Sequence, residues 1–122
     1  MMHHDVLRFQ VGAEQFPSEQ FAELYKALIT EEYDELKGAL EHTDQAHILN
    51  EAMDLIWVIL GYCNIKGFDV EGAWQELTRA NLSKLQADPV TGKLLRRPDG
   101  KIKKPENWQA PNFEPFLPYG GE

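Results

Sequence analysis

From Ala52 to Cys63 the chain reads AMDLIWVILGYC, and wound as a helix this run is apolar on nearly every side. A helix of that kind cannot rest on a surface with one face in water, because it must be surrounded by other chain. That requirement points to a helical bundle. The flanking segments supply the other helices, so the expected fold class is all-α.

The apolar run predicts a helix from about Gln45 to Lys66, with Gly67 where a C-terminal glycine cap would sit. Before it, the spacing predicts a helix from about Glu19 to Glu41. Ser18 offers an N-cap, and Phe21, Leu24, Tyr25 and Leu28 fall on one stripe at helical periodicity. His42-Thr43-Asp44 reads as a turn, with Thr43 or Asp44 capping the next helix. After Gly67, Asp69 caps a helix from about Val70 to Leu85, with Trp74, Leu77 and Leu82 inward. Residues 2–12 could add a short first helix through Val6 and Phe9. Beyond Gln86 the texture changes: six of the seven prolines lie in 88–121, among turn signals such as Asp88-Pro89 and Pro98-Asp99-Gly100. Lys93-Leu94-Leu95 and Lys101-Ile102-Lys103 flank the latter turn as a candidate hairpin. The expected organisation is a helical core over 1–87 and, in the same domain, a basic hairpin with an extended proline- and aromatic-rich arm over 88–122.

The formal charge of −8 argues against duplex nucleic acid as a partner of the whole surface. The charge is uneven, since residues 93–104 hold Lys93, Arg96, Arg97, Lys101, Lys103 and Lys104 against Asp99 alone. At 122 residues a monomer buries a modest share of its surface, which makes oligomerisation a sensible expectation. The one cysteine, Cys63, lies among apolar residues and reads as inert. No apolar region follows Met1-Met2-His3-His4, and the run from Leu55 to Cys63 is too short to span a bilayer. A soluble, cytoplasmic protein is expected.

Acids occupy positions where the periodicity asks for apolar residues. On the wheel set by Phe21, Glu32 and Glu35 fall on the apolar stripe, Glu31 on its edge and Asp34 on the solvent side. Glu51 and Asp54 share a face of the apolar helix. Burying one unpaired carboxylate costs several kcal/mol, about 3–5 when its partner has been removed. Burying four or five together requires cations, and the two helices offer only Lys26, Lys37 and Lys66. One or more divalent ions satisfy the arrangement, and an all-oxygen donor set favours Mg²⁺ or Mn²⁺ over Zn²⁺. A di-iron bundle would want Glu-x-x-His pairs, which are missing here. An EF-hand would hold its acids in a glycine-centred loop rather than on helices.

Glu31-Glu32-Tyr33-Asp34-Glu35 followed by Glu51-Ala52-Met53-Asp54 resembles the EExxE…ExxD signature of the all-α nucleoside triphosphate pyrophosphohydrolases, the MazG-like superfamily. Asn81-Leu82-Ser83-Lys84 resembles the N-x-S-K of its phosphoribosyl-ATP pyrophosphohydrolase-like members. Asp99 to Pro105 and Trp108 resemble the tail of a phage-type, MazZ-like subgroup. The likeness spans roughly residues 19–110.

This resemblance implies a MazG-like four-helix core paired into a homodimer or homotetramer, and conversion of a nucleoside triphosphate to monophosphate and pyrophosphate. Glu31, Glu32, Glu35, Glu51 and Asp54 would hold Mg²⁺, with Glu31 and Glu35 catalytic and Glu31 either a ligand or the group that orients water. Asn81 and Lys84, with Lys101 and Lys104 from a basic lid, would bind substrate. A purine deoxynucleotide, dGTP or dATP, is preferred. The alternatives are phosphoribosyl-ATP as substrate, or a non-enzymatic helical interaction module with a structural ion. Trp57 and Trp74 read as core, and the four histidines carry no assignment.

Overall fold

The computed structural model describes residues 18–42 and 44–118. Their helices are α1 (Ser18–Ala39), α2 (Gln45–Ile65) and α3 (Val70–Leu82), with a 3₁₀ turn at Glu114–Phe116. No strand occurs among the described residues, and the chain is all-helical in class. The short helix expected over 2–12 lies outside the described residues. By its contacts the chain forms two compact units, Met1–Val70 and Glu71–Glu122.

In the first unit α1 and α2 fold back on each other as a helical hairpin. The turn between them satisfies its own backbone, with Glu41 N–H bonded to Gly38 O and His42 N–H to Ala39 O. Asp44 then caps α2, its side chain accepting from the His47 backbone N–H at 3.2 Å. At the other end Phe68 N–H reaches Cys63 O and Gly67 N–H reaches Asn64 O, while Gly67 takes φ of 76°. That left-handed turn lets the chain leave the helix, and a side chain at this position would be strained.

The packed face of α1 runs through Ala22, Tyr25, Ile29, Glu32, Leu36 and Ala39. It is rotated from the stripe expected on sequence, and Leu24 is half exposed. Ala22 and Ala39 are buried on this face, and Tyr25, Ile29, Glu32 and Leu36 between them are half buried. On α2, Ile48, Glu51, Leu55, Val58 and Tyr62 follow one face. Leu49, Met53, Ile56 and Ile59 remain exposed, at 62, 49, 44 and 41%. The expectation of burial on all sides is therefore unmet, because among the described residues the hairpin gives α2 one partner helix. Trp57, at 38% exposed, and Trp74, at 52%, are likewise not core.

Among the described residues α2 is the one helix long and apolar enough to cross a membrane by length and composition, with a mean hydropathy of 1.3. The uninterrupted run from Leu55 to Cys63 is short, but the flanking turns extend it. Glu51, packed at 7% exposure, and Asp54 set that composition in context. An Asp at a bilayer centre costs roughly 2.5–3.5 kcal/mol, whereas the hairpin gives α2 a protein partner.

In the second unit Ala80 of α3 is fully buried, and its carbonyl accepts from Trp108 Nε1–H at 2.8 Å. Trp74 and Leu82 point outward instead, and Leu77 is half buried. Glu76 is the second anchor. It receives Arg79 through two nitrogens at 2.9 and 3.0 Å, and it accepts from Asn112 N–H at 2.9 Å. These bonds hold its carboxyl down at about 2. The segment after α3 makes two turns. Asp88 N–H to Lys93 O and Gly92 N–H to Asp88 O close the first. Arg97 N–H to Lys101 O at 2.7 Å closes the second, at Pro98-Asp99-Gly100. The hairpin expected about Pro98-Asp99-Gly100 is present as a single bridge, Arg96 to Ile102, rather than as strands, and a second bridge, Ala87 to Leu94, spans the preceding turn.

Two outcomes follow from these anchors. Gly67→Ala should destabilise the protein by about 1–2 kcal/mol, and Asp44→Ala by about 1 kcal/mol, both read from urea unfolding. A carboxylate with a depressed pKa stabilises the fold above its unfolded value and loses that effect as it is protonated. Folded-state stability from Glu76 should therefore fall between pH 4.5 and about 2. Glu76→Gln should flatten that part of the acid-melting curve.

Candidate active site

Three of the sequence-selected acids converge within the helical hairpin. Glu32 and Glu35 come from consecutive turns of α1, and Glu51 comes from α2. Each offers one carboxylate oxygen within 4.8 Å of the others. The local reason is periodic: Glu32 and Glu35 are three residues apart and so share a face. Glu51 sits on the face of α2 that meets α1.

The electrostatics are those of an uncompensated site. Glu51 Oε1 and Glu32 Oε1 are sealed from solvent and have no hydrogen-bond donor. Burial raises the Glu32 carboxyl above its ordinary value, and the charges of Glu35, Asp54, Glu51 and Glu31 push it further. The Glu51 charge raises Glu35 most, followed by burial, Glu31, a carboxyl–carboxyl hydrogen bond with Glu51, and Asp54. The nearest positive candidate is His47, whose Nδ1 lies 3.9 Å from Glu51 Oε2 one turn away. Sequence reasoning left His47 without an assignment, although its place four residues before Glu51 puts the two one turn apart.

The donor set suits a hard divalent cation. It is all oxygen, three carboxylates converge, and two buried oxygens have no donor. Glu31 and Asp54 are not in the converging group. Both are exposed, but both contribute charge to Glu32 and Glu35.

A second cluster belongs to the second unit. Asn81 and Lys84 from the end of α3, Leu85, Arg96, Arg97, Lys101, Ile102 and Lys104 line a cavity of about 670 Å³. Four of these residues, Asn81, Lys84, Lys101 and Lys104, were selected on sequence. Arg96 and Arg97 were visible only as members of a basic segment. Trp108 organises the rim: Lys84 Nζ and Lys104 Nζ stand 5.1 and 4.5 Å from its ring centroid, in cation–π range. Its role as a clamp had no signal in the sequence, because it depends on the arm folding back over Ala80.

Compared with known proteins, residues 4–81 match the phosphoribosyl-ATP pyrophosphohydrolase family. No curated protein matches the chain. The matched span contains all five acids and ends on Asn81.

The acidic cluster has a measurable consequence. A carboxyl with a raised pKa contributes stability that is full below its unfolded value, 4.5, and is lost as pH climbs through the folded value. Chelator-treated protein should melt at progressively lower temperature as pH rises from 4.5 through that raised range. Millimolar Mg²⁺ or Mn²⁺ should restore the loss at neutral pH. Glu35→Gln should raise the melting temperature of the chelated protein and abolish most of the response to the ion.

Proposed function

The chain belongs to the phosphoribosyl-ATP pyrophosphohydrolase family, and from that premise we propose that it hydrolyses a (deoxy)nucleoside triphosphate to the monophosphate and pyrophosphate with Mg²⁺. The family makes it a pyrophosphohydrolase of the MazG-like superfamily, acting on phosphoanhydride bonds. The observation that carries the finer reading is the pair of buried carboxylate oxygens without donors, Glu32 Oε1 and Glu51 Oε1, beside Glu35. A triphosphate is itself anionic, so an acidic pocket can take it only together with cations.

In this reading Glu32, Glu35 and Glu51 hold the ion, and Asp54 and Glu31 complete its surroundings. Mg²⁺ is the first choice and Mn²⁺ the second. Such an ion, when bound, supplies positive charge to phosphate oxygens and acidifies coordinated water. Glu31 is exposed and outside the converging group, and in this reading it orients the attacking water and accepts its proton, with Glu35 assisting. The water oxygen bonds to phosphorus, the phosphoanhydride bond breaks, and pyrophosphate leaves with the electron pair. Asn81, Lys84, Lys101 and Lys104 bind the phosphates or sugar. A purine deoxynucleotide, dGTP or dATP, is the preferred substrate.

The exposed apolar side of α2 supports a homodimer or homotetramer. Leu49, Met53, Ile56 and Ile59 form a patch of the kind that marks protein interfaces. A cytoplasmic setting fits a substrate drawn from the nucleotide pool.

The family match favours one second reading, that phosphoribosyl-ATP is the substrate. A panel of every (d)NTP and phosphoribosyl-ATP with Mg²⁺ separates the two. Monophosphate and pyrophosphate should appear from a deoxynucleotide, and Glu35→Gln with Asp54→Asn should reduce turnover by at least about 100-fold. Release of orthophosphate, or turnover that survives the double substitution, would sink the proposal. Metal-dependent melting without turnover on any substrate would favour a structural ion in a non-enzymatic module.

A further inference from the structure

The cavity of the second unit concentrates like charge in a way the rest of the chain does not. The protein carries −8 overall, yet no acidic side chain lines this cavity, and Lys84, Arg96, Arg97, Lys101 and Lys104 do. Among the described residues Asp99 is the acid paired with a lining cation, its Oδ2 meeting Arg97 at 3.0 Å. The C-terminal end of α3 adds only about half a negative charge near Asn81 and Lys84. A strong positive excess therefore remains inside one small volume.

Arg96, Lys84 and Lys104 are held by contacts that leave their charge unspent. Arg96 Nη1 donates to Gly100 O at 2.9 Å. Lys84 and Lys104 are drawn to Trp108, whose own Nε1–H is fixed on Ala80 O. Across the Pro98-Asp99-Gly100 turn, the backbone bond from Arg97 N–H to Lys101 O sets two cations opposite each other. Like charges in that relation destabilise a turn. Such an arrangement gains stability when an anion enters, and it is preorganised to receive one because the side chains need not be gathered first.

Size and shape select the anion. About 670 Å³ is the volume of a small-molecule pocket, not of a groove that tracks a nucleic acid strand. Arginine forks grip phosphate oxygens in pairs, and lysines supply point charges around them. Leu85 and Ile102 add a short apolar wall.

We propose that this cavity is a polyphosphate-binding site that works without a divalent cation, with Arg96 and Arg97 as its principal grips beside Lys84, Lys101 and Lys104. Its occupant is a short polyphosphate chain, free or carried by a nucleotide. The inference deepens the hydrolase reading, on which the identity of the natural ligand rests, but the binding itself is measured apart from turnover.

The test is calorimetric titration of the full-length, chelator-treated protein with inorganic tripolyphosphate, then with inorganic phosphate. Tripolyphosphate should bind with no divalent ion present, more tightly than phosphate, and should weaken as salt is raised. Arg96→Gln should weaken it by about tenfold or more. Lys101→Gln should do the same while leaving the turn intact, since the turn uses Lys101 only through its backbone. Lys93→Gln, the same change of charge outside the lining, should leave affinity within about twofold. The proposal is overturned if tripolyphosphate fails to bind without a divalent ion, or if all three variants weaken it equally. It is also overturned if a single-stranded oligonucleotide binds and tripolyphosphate does not. Turnover of a nucleotide without metal-free binding would overturn this inference and leave the hydrolase reading standing. Binding without turnover on any nucleotide would do the reverse.

Discussion

Three carboxylates meet where the two helices of the hairpin pack, and their mutual repulsion is the constraint around which that unit is built. Glu32 and Glu51 each bury an oxygen with no donor, and the Glu51 charge raises the Glu35 carboxyl above its ordinary value. A hydrophobic side chain in place of Glu32 or Glu51 would avoid that cost, since buried charge is costly unless paired. The hairpin is held elsewhere: by the burial of Ala22 and Ala39, by the Asp44 cap and by the Gly67 turn. Those features allow a repulsive centre to persist in a stable frame.

The second unit solves the opposite problem with the same physics. There the excess is positive, and the frame is a short helix with an arm folded against it. Trp108 and Glu76 are its two anchors. One is an indole that bonds a buried carbonyl, and the other a carboxylate that gathers Arg79 and the Asn112 backbone. Neither anchor lines the basic cavity, so charge at the cavity can be altered without removing what holds the arm.

Much of the first unit was legible from residue order. The bounds of α1 and α2 fell within about two residues of expectation, because capping and helix-stopping residues act locally. Glu32, Glu35 and Glu51 could be selected as a set because a polar residue on an apolar stripe breaks a pattern that periodicity makes visible. Glu31 and Asp54 belong to the same motif but lie outside the converging group, a distinction that a wheel drawn on one helix cannot make. The stripe was off by a fraction of a turn, since Leu24 looked inward by hydrophobicity but is half exposed, while Ala22 and Ala39 are buried.

What the sequence by itself determined is therefore the local and periodic: helix bounds, turns at Asp88–Gly92 and Pro98–Gly100, and the acids that interrupt an apolar face. Only the tertiary structure decided which face of α1 meets α2, and that one side of α2 stays exposed in the single chain. It also decided that Arg96 and Arg97 join Lys84, Lys101 and Lys104 around one cavity, with Trp108 clamping its rim. The physical reason is range. Caps and turns are settled by bonds within a few residues, whereas the cavity depends on an arm returning to Ala80 from 28 residues away.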